Sequence, residues 1–141
     1  MEQLELENID FLKERNLEDL HYSSKQWLFN IDFWRQELNF FQNLLDTQAK
    51  HVTTVDQKKQ IDHFQNLIIY YQGELLDEFH QKVRRHEKRL KNLLINNESP
   101  TDLSYRENHN LLFDQIISFD NQFKKYKLEL YSFMSQVISS Y

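Results

Sequence analysis

The stretch from Thr53 to Asn97 constrains the fold most, because 45 residues pass there with one glycine and no proline. Apolar or ring-bearing residues recur at steps of three and four, the spacing of one face of an α-helix. Thr54 and Gln57 form a capping box, which predicts that a helix begins there and runs over residues 54–97. Its predicted buried face holds Ile61, Phe64, Ile68, Tyr71, Leu75, Phe79, Val83, His86, Leu90 and Leu93.

The only glycine, Gly73, lies inside this helix, where glycine costs about 1 kcal/mol relative to alanine. Its position favours the close approach of a bulky side chain from a neighbouring helix, with a functional hinge as the alternative. A second apolar stripe beside the first predicts that the helix has at least two neighbours. That stripe holds Leu67, Ile69, Tyr70, Leu76 and Leu94.

The composition excludes several kinds of site and fold. The chain has no cysteine, which excludes disulfides, thiolate metal sites and thiol nucleophiles and favours a reducing compartment. One glycine and one proline in 141 residues leave almost no material for the tight turns of a β-protein or for a phosphate-binding glycine loop. The sequence therefore predicts an all-α fold, in one domain over residues 1–141.

Charge and hydropathy exclude some classes of binding partner. Residues 1–10 are acidic and lack the features of a signal peptide, and no stretch of about 20 apolar residues could span a bilayer. We therefore expect a soluble, cytoplasmic protein with no membrane partner. The net charge of −5 also argues against nucleic acid, whose binding depends on neutralising phosphates.

The first helix is predicted over residues 24–51, after an acidic segment of residues 1–22. Ser23 with Gln26 forms a second capping box, and Tyr22 with Trp27 occupies the positions of a hydrophobic staple. We expect the segment to continue the helix with a cap or kink near Ser23. A separate fourth helix over residues 4–20 is the alternative.

Two regular apolar seams complete the pattern. The first helix has a heptad seam like that of a coiled coil, with a second stripe of Phe33, Phe40 and Leu44 that suits a helix facing two partners. This seam holds Trp27, Ile31, Trp34, Leu38, Phe41 and Leu45. A third helix over residues 100–139, capped by Ser99 before Pro100, has an equally regular seam. It holds Tyr105, His109, Leu112, Ile116, Phe119, Phe123, Tyr126, Leu130, Phe133 and Val137. Short connections predict an up-down-up antiparallel bundle of three helices.

Three histidines are the only candidates for metal chemistry. Antiparallel pairing about the two loops places His21, His86 and His109 at one level of the bundle. Three imidazoles can bind zinc or another divalent metal, with water, Glu87 or Glu18 as the fourth ligand. Packed histidines that share hydrogen bonds with Glu or Tyr are the commoner arrangement, and the sequence has no H-E-x-x-H or E-x-x-H motif.

A basic run over residues 82–91 has two interpretations. Its cations suit a phosphate-binding patch, but antiparallel pairing places Glu14, Glu18 and Asp19 beside it. We therefore expect a solvated face that the acidic N-terminal segment neutralises.

Short segments of the chain resemble a group of uncharacterised helical proteins from Bacteroidetes. They are Asp19-Leu20-His21 with Trp27, His63-Phe64-Gln65-Asn66, and His86-Glu87. The resemblance covers mainly the first two helices and implies no particular activity. The architecture also resembles a spectrin-type three-helix unit, and such a likeness does not assign function.

The sequence favours a structural or protein-interaction bundle that is not an enzyme, with a protein partner or self-association. We predict no catalytic residue and no cofactor. A metal-binding bundle that uses the three histidines is the alternative.

Overall fold

The computed structural model describes residues 17–96 and 102–139. These form helices α1 (Leu17–Ala49), α2 (Val55–Tyr70), α3 (Leu76–Asn96) and α4 (Asp102–Ser139), with a π-helical turn (Tyr71–Leu75) between α2 and α3. No strand occurs in the described residues, which confirms the all-α prediction. Within these ranges, no helix combines the length and the apolar character that crossing a bilayer would require.

Helix α1 is continuous from Leu17 through Ser23, so residues 17–22 continue the helix as predicted, but the predicted cap near Ser23 is wrong. The hydroxyl of Ser23 donates to the carbonyl of Asp19, and that of Ser24 to the carbonyl of Leu20. A serine hydroxyl bonded to the preceding turn cannot cap a new helix. Tyr22 is 64% exposed and therefore forms no staple. Of the proposed fourth helix over residues 4–20, residues 17–20 belong to α1 and the rest lies outside the described ranges, as does the Ser99–Pro100 cap.

The seams of α1 and α4 are buried as predicted. On α1 the buried positions also extend back to Ser24, three residues before Trp27, and to Leu20, four residues before Ser24, which continues the heptad into the first turn of the helix. Helix α2 begins as predicted, because the Thr54 hydroxyl accepts a hydrogen bond from the Gln57 N–H at 3.1 Å.

The predicted face of the central stretch is wrong at Leu75. Leu76 is fully buried instead, five residues after the buried Tyr71, and Leu75 is only partly covered. The Leu76 N–H bonds to the Tyr71 carbonyl, five residues earlier, as in a π-helix. This wider turn takes up one extra residue, so the buried face resumes at Leu76 and continues through Phe79.

Gly73 lies inside the π turn and contacts no neighbouring helix. A Cβ built on Gly73 would meet nothing within 4 Å, and the residue is exposed. The predicted close approach of a bulky side chain is therefore wrong. A side chain would fit at this open position. The main effect of Gly73 is therefore to increase the conformational freedom of the backbone.

The described residues divide into two compact units, the first formed by residues 17–30, 79–96 and 102–117 and the second by residues 31–78 and 118–139. The core of the second unit is aromatic: the ring centroids of Trp34 and Phe119 lie 4.8 Å apart, and those of Phe64 and Tyr126 lie 5.6 Å apart. The buried Tyr126 hydroxyl donates to the Phe64 carbonyl at 3.1 Å. Burial therefore costs this hydroxyl no hydrogen bond.

Part of the second apolar stripe of α1 faces solvent rather than a second helix. Phe33 is 54% exposed and Phe40 is 62% exposed, while Leu44 is half-buried. The prediction that these two phenylalanines pack against a second partner within the bundle is wrong. They instead form an exposed apolar surface on the second unit.

The first unit has a small core of Leu20, Leu90, Leu93 and Tyr105, with Leu17 and Phe113 packed at its edge. Tyr105 is fully buried, and so are His86 and His109, which occupy seam positions on α3 and α4. The periodicity therefore places two polar rings inside an apolar core, where each needs hydrogen-bond partners.

We predict that Gly73→Ala stabilises the protein by about 0.5–1 kcal/mol, because alanine has less backbone freedom in the unfolded chain and the site is open. Denaturant unfolding measures this change. Glu74→Ala, at an exposed position of the same turn, is the control and should change the free energy of unfolding by less than about 0.5 kcal/mol. Destabilisation by Gly73→Ala alone would contradict the open position.

Candidate functional site

The candidate site is a pair of buried histidines in the first unit. His86 Nε2 lies 2.8 Å from His109 Nδ1, which is hydrogen-bond distance. The two residues are 1% and 0% exposed. Helix α3 supplies one ring and α4 the other, so the bond joins two helices inside the core.

Aromatic rings enclose the pair. The Tyr105 ring stacks on His86 at 4.1 Å with parallel planes, and the Trp27 ring lies 4.4 Å from that of His109. Both aromatic residues are seam positions, Trp27 on α1 and Tyr105 on α4. The rings remove the imidazoles from water and limit their movement, because flat rings in close contact leave few alternative rotamers.

Asn108 sets the tautomers of the two imidazoles. Its Nδ2 lies 3.1 Å from His86 Nδ1, and an amide nitrogen can only donate. His86 Nδ1 is then an acceptor, so the proton of neutral His86 is on Nε2 and is donated to His109 Nδ1. A neutral His109 therefore has its own proton on Nε2. Asn108, Tyr105 and Trp27 were not predicted for this site, and only the seam positions of the two aromatics signalled their burial.

The enclosure changes the acid–base behaviour of His86. Burial, with a smaller contribution from the charge of Arg89, lowers the pKa of His86 to about 4. Both causes disfavour the imidazolium, since it would lose its hydration and lie near another cation. His86 is therefore neutral at physiological pH.

His21 binds elsewhere in the same unit. Its Nδ1 lies 2.5 Å from Glu87 Oε2, and the two side chains are 40% and 15% exposed. The contact is an ion pair when His21 is protonated, but its atoms are not aligned as a hydrogen bond. The structure thus brings His86 and His109 together and places His21 on Glu87, one of the two proposed fourth ligands. Glu18, the other, is exposed.

Metal binding at this layer stays a prediction, and the geometry shows what it would require. A metal needs a nitrogen lone pair, whereas His86 Nδ1 accepts from Asn108 and His109 Nδ1 accepts from His86 in the tautomers derived above. An ion would have to replace these hydrogen bonds. Across the described ranges, no three His, Asp or Glu side chains are grouped so as to hold one.

Comparison with known proteins assigns no family to the chain. No family model matches it, and neither a curated protein nor a solved structure is significantly similar. The resemblance to helical proteins from Bacteroidetes therefore stays a prediction, and the geometry alone carries the functional argument.

We predict that acid destabilises the protein through His86. The unfolded chain takes up a proton at this histidine near pH 6.5, whereas the folded chain does so only near pH 4. The unfolded state binds more protons in this window, so stability falls as the pH decreases from 6.5 to 4, by about 3 kcal/mol for this group. Urea unfolding of the wild type across this range measures the slope.

His86→Gln removes the titrating group and should flatten that slope. His63→Gln, at an exposed position, is the matched control and should retain it. Equal slopes for the two variants would assign the acid sensitivity to other groups.

We predict that a bound metal would replace the hydrogen bonds of His86 and His109 and that this replacement can be measured. Zinc titrated into protein purified without an affinity tag would shift the His86 and His109 proton resonances and raise the melting temperature. His109→Gln would abolish both effects, and His63→Gln would abolish neither. Unchanged resonances at saturating zinc would reject the metal-binding alternative.

Proposed function

We propose that this chain is a non-enzymatic helical protein that acts by binding another protein chain. The observation that carries the proposal is an aromatic surface on the second unit, formed by Phe33, Phe40 and Tyr131. They are 54%, 62% and 49% exposed and surround a groove of about 320 Å³. Interface cores are enriched in such aromatic side chains.

The core of the second unit does not explain these rings. The α1 seam is filled by other residues, and Phe33 and Phe40 lie seven residues apart, on one side of the helix and off that seam. A single exposed ring is ordinary, but several around one groove are a feature of interaction sites. Covering one phenylalanine contributes about 1.5–3 kcal/mol, so the surface can supply substantial binding energy.

A buried aromatic ring supports the exposed rings of this surface. Phe41 is buried, and its ring centroid lies 5.9 Å from that of Phe40 and 6.0 Å from that of Tyr131. At the edge of the groove, Lys127 forms an ion pair with Glu37 at 3.1 Å. A preorganised surface loses little conformational entropy on binding, which supports a role in recognition.

The finer architecture belongs to the same proposal: an up-down-up bundle of three long helices with coiled-coil-like seams, located in the cytoplasm. Contacts within each unit support the topology. In the second unit, Asp46 bonds to Gln65 and Arg35 to Asp77. Residues earlier in α1 thus pair with residues later in the central stretch, as in an antiparallel pair. In the first unit, Arg89 bonds to Ser104, and His86 to the later His109.

The rival function is a divalent-metal-binding bundle. The proximity of His86 and His109 supports it, since two of the three proposed ligands lie together, and an ion there would replace the hydrogen bond between them. The zinc titration described above separates it from the interaction function, which needs no metal.

We predict that replacing Phe33 and Phe40 together by serine abolishes binding and leaves the fold intact. Both rings are largely exposed, so the free energy of unfolding should change by less than about 0.5 kcal/mol per site. A photo-crosslinker at Gln36, between the two rings on the groove wall, should capture a protein or a second copy. Sedimentation velocity over a concentration series distinguishes self-association from a different partner.

The matched control is Ile69→Ser, since Ile69 is 66% exposed and lies outside this groove. It should leave the crosslink unchanged, whereas the double variant should remove it. Equal crosslinking in all three proteins, with no concentration-dependent association, would reject the aromatic surface as the binding site.

A further inference from the structure

A second groove lies in the first unit and has a different chemistry. It encloses about 680 Å³ between one face of α1, with His21, Lys25 and Leu28, and one face of α3. On α3 its lining runs from Arg84 to Ile95, about 16 Å along the helix axis. The groove therefore has the length of about three helical turns.

The floor of the groove is apolar and only partly covered. Leu90 is buried and Leu28 half-buried, but Leu94 is 54% exposed and Ile95 is 70% exposed. Single exposed apolar side chains are ordinary on a protein surface, but these two are adjacent in the chain and line the same groove. This floor can contribute binding energy when another apolar side chain covers it.

The walls of the groove are cationic. Lys25 lies on one side, and Arg84, Lys88 and Lys91 lie on the other, all of them exposed. Within residues 17–96 and 102–139, none of these four takes part in an ion pair. Glu87, the one carboxylate of the lining, already contacts His21.

The expected neutralisation of the basic run by the acidic N-terminal segment falls largely on residues outside the described ranges and stays a prediction. The four cations line one groove. They concentrate positive charge on a chain whose net charge is −5. Such a local charge attracts an anionic partner and repels a cationic one.

We propose that this groove binds an amphipathic α-helix of a partner protein, with apolar residues facing the floor and acidic residues along both flanks. A groove between two helices accommodates a rod, and an amphipathic helix meets an apolar floor with its apolar stripe. Acidic flanks then lie opposite Lys25 on one wall and Lys88 on the other. This inference does not depend on the aromatic surface, so either one can fail without the other.

Two other anionic partners fit this groove less well. Nucleic acid would leave the leucine and isoleucine floor without an apolar partner. An anionic bilayer presents a broad surface that suits a convex helix face, whereas these cations face each other across a concave groove.

The test uses the full chain and a fluorescent synthetic helix of about 14 residues, with leucine every third or fourth position and glutamate on both flanks. Fluorescence anisotropy should show saturable binding that weakens with added salt. A second peptide with lysine in place of every glutamate should bind at least about tenfold more weakly.

Charge reversal locates the site. Lys88→Glu should weaken binding of the acidic helix at least about tenfold and strengthen binding of the lysine peptide, since one wall then changes sign. Lys125→Glu, at an exposed position of the second unit, is the matched control and should change binding less than about twofold.

Removal of the apolar floor provides an independent readout. Leu94→Ser should weaken binding about fivefold or more without lowering the melting temperature, because Leu94 is largely exposed. Leu128→Ser is its control, since Leu128 is 70% exposed and lies in the second unit. Parallel losses in both leucine variants would contradict a specific floor.

Four outcomes would overturn the proposal. They are no saturable binding of the acidic helix, equal binding of both peptides, an equal effect of Lys88→Glu and Lys125→Glu, and binding to phosphatidylserine vesicles that the acidic helix does not displace. A separate experiment changes the five acidic residues of positions 1–16 to their amides in the full chain. Affinity raised about tenfold or more would identify the chain's own first residues as the occupant instead of a partner.

Discussion

The fold depends on keeping one apolar face buried along each helix. On α1 and α4 this face recurs at alternating steps of four and three, which a regular helix meets without distortion. The central stretch contains one residue too many, and its buried face moves from Tyr71 to Leu76 in a step of five. The π turn absorbs that residue, so the face continues through α3. Without it, the later seam residues would rotate away from the core.

The histidine pair is the exception to this apolar core. Burying polar rings costs free energy unless their nitrogens are hydrogen-bonded, and the bond between His86 and His109 together with that from Asn108 engages three of the four ring nitrogens. The bonds form only when α3 and α4 align within hydrogen-bond distance. We infer that the pair helps to select this alignment, since leucines of similar volume would tolerate a shift by a fraction of a turn.

The two surfaces proposed as binding sites follow from side chains that the cores do not use. In the second unit, Phe33, Phe40 and Tyr131 lie off the seams and leave rings in water. In the first unit, the cations of α3 lie beside exposed Leu94 and Ile95. The aromatic surface can bind through desolvation, and the cationic groove adds selection by charge. Different chemistries at two sites allow recognition of different partner segments.

The sequence by itself determined the helical class, nearly all buried positions and the presence of His86 and His109 in the core. This follows because the angle of a residue about a helix axis depends only on its spacing along the chain. The sequence also contains a signal of the π turn, since the predicted face has three consecutive steps of four residues from Tyr71 to Val83. Spacing alone does not say whether such a run is a drift of the face or one inserted residue, so it assigned Leu75 instead of Leu76.

Only the tertiary structure decided which side chains meet along the axis and which apolar stripes have neighbours. Loop-based pairing is uncertain by about one turn, which is enough to exchange the partner of His21 from a histidine to Glu87. Phe33 and Phe40 have the same spacing whether a helix or water lies opposite, so their exposure could not be predicted. Periodicity defines the direction in which a side chain points, and packing alone defines what it meets there.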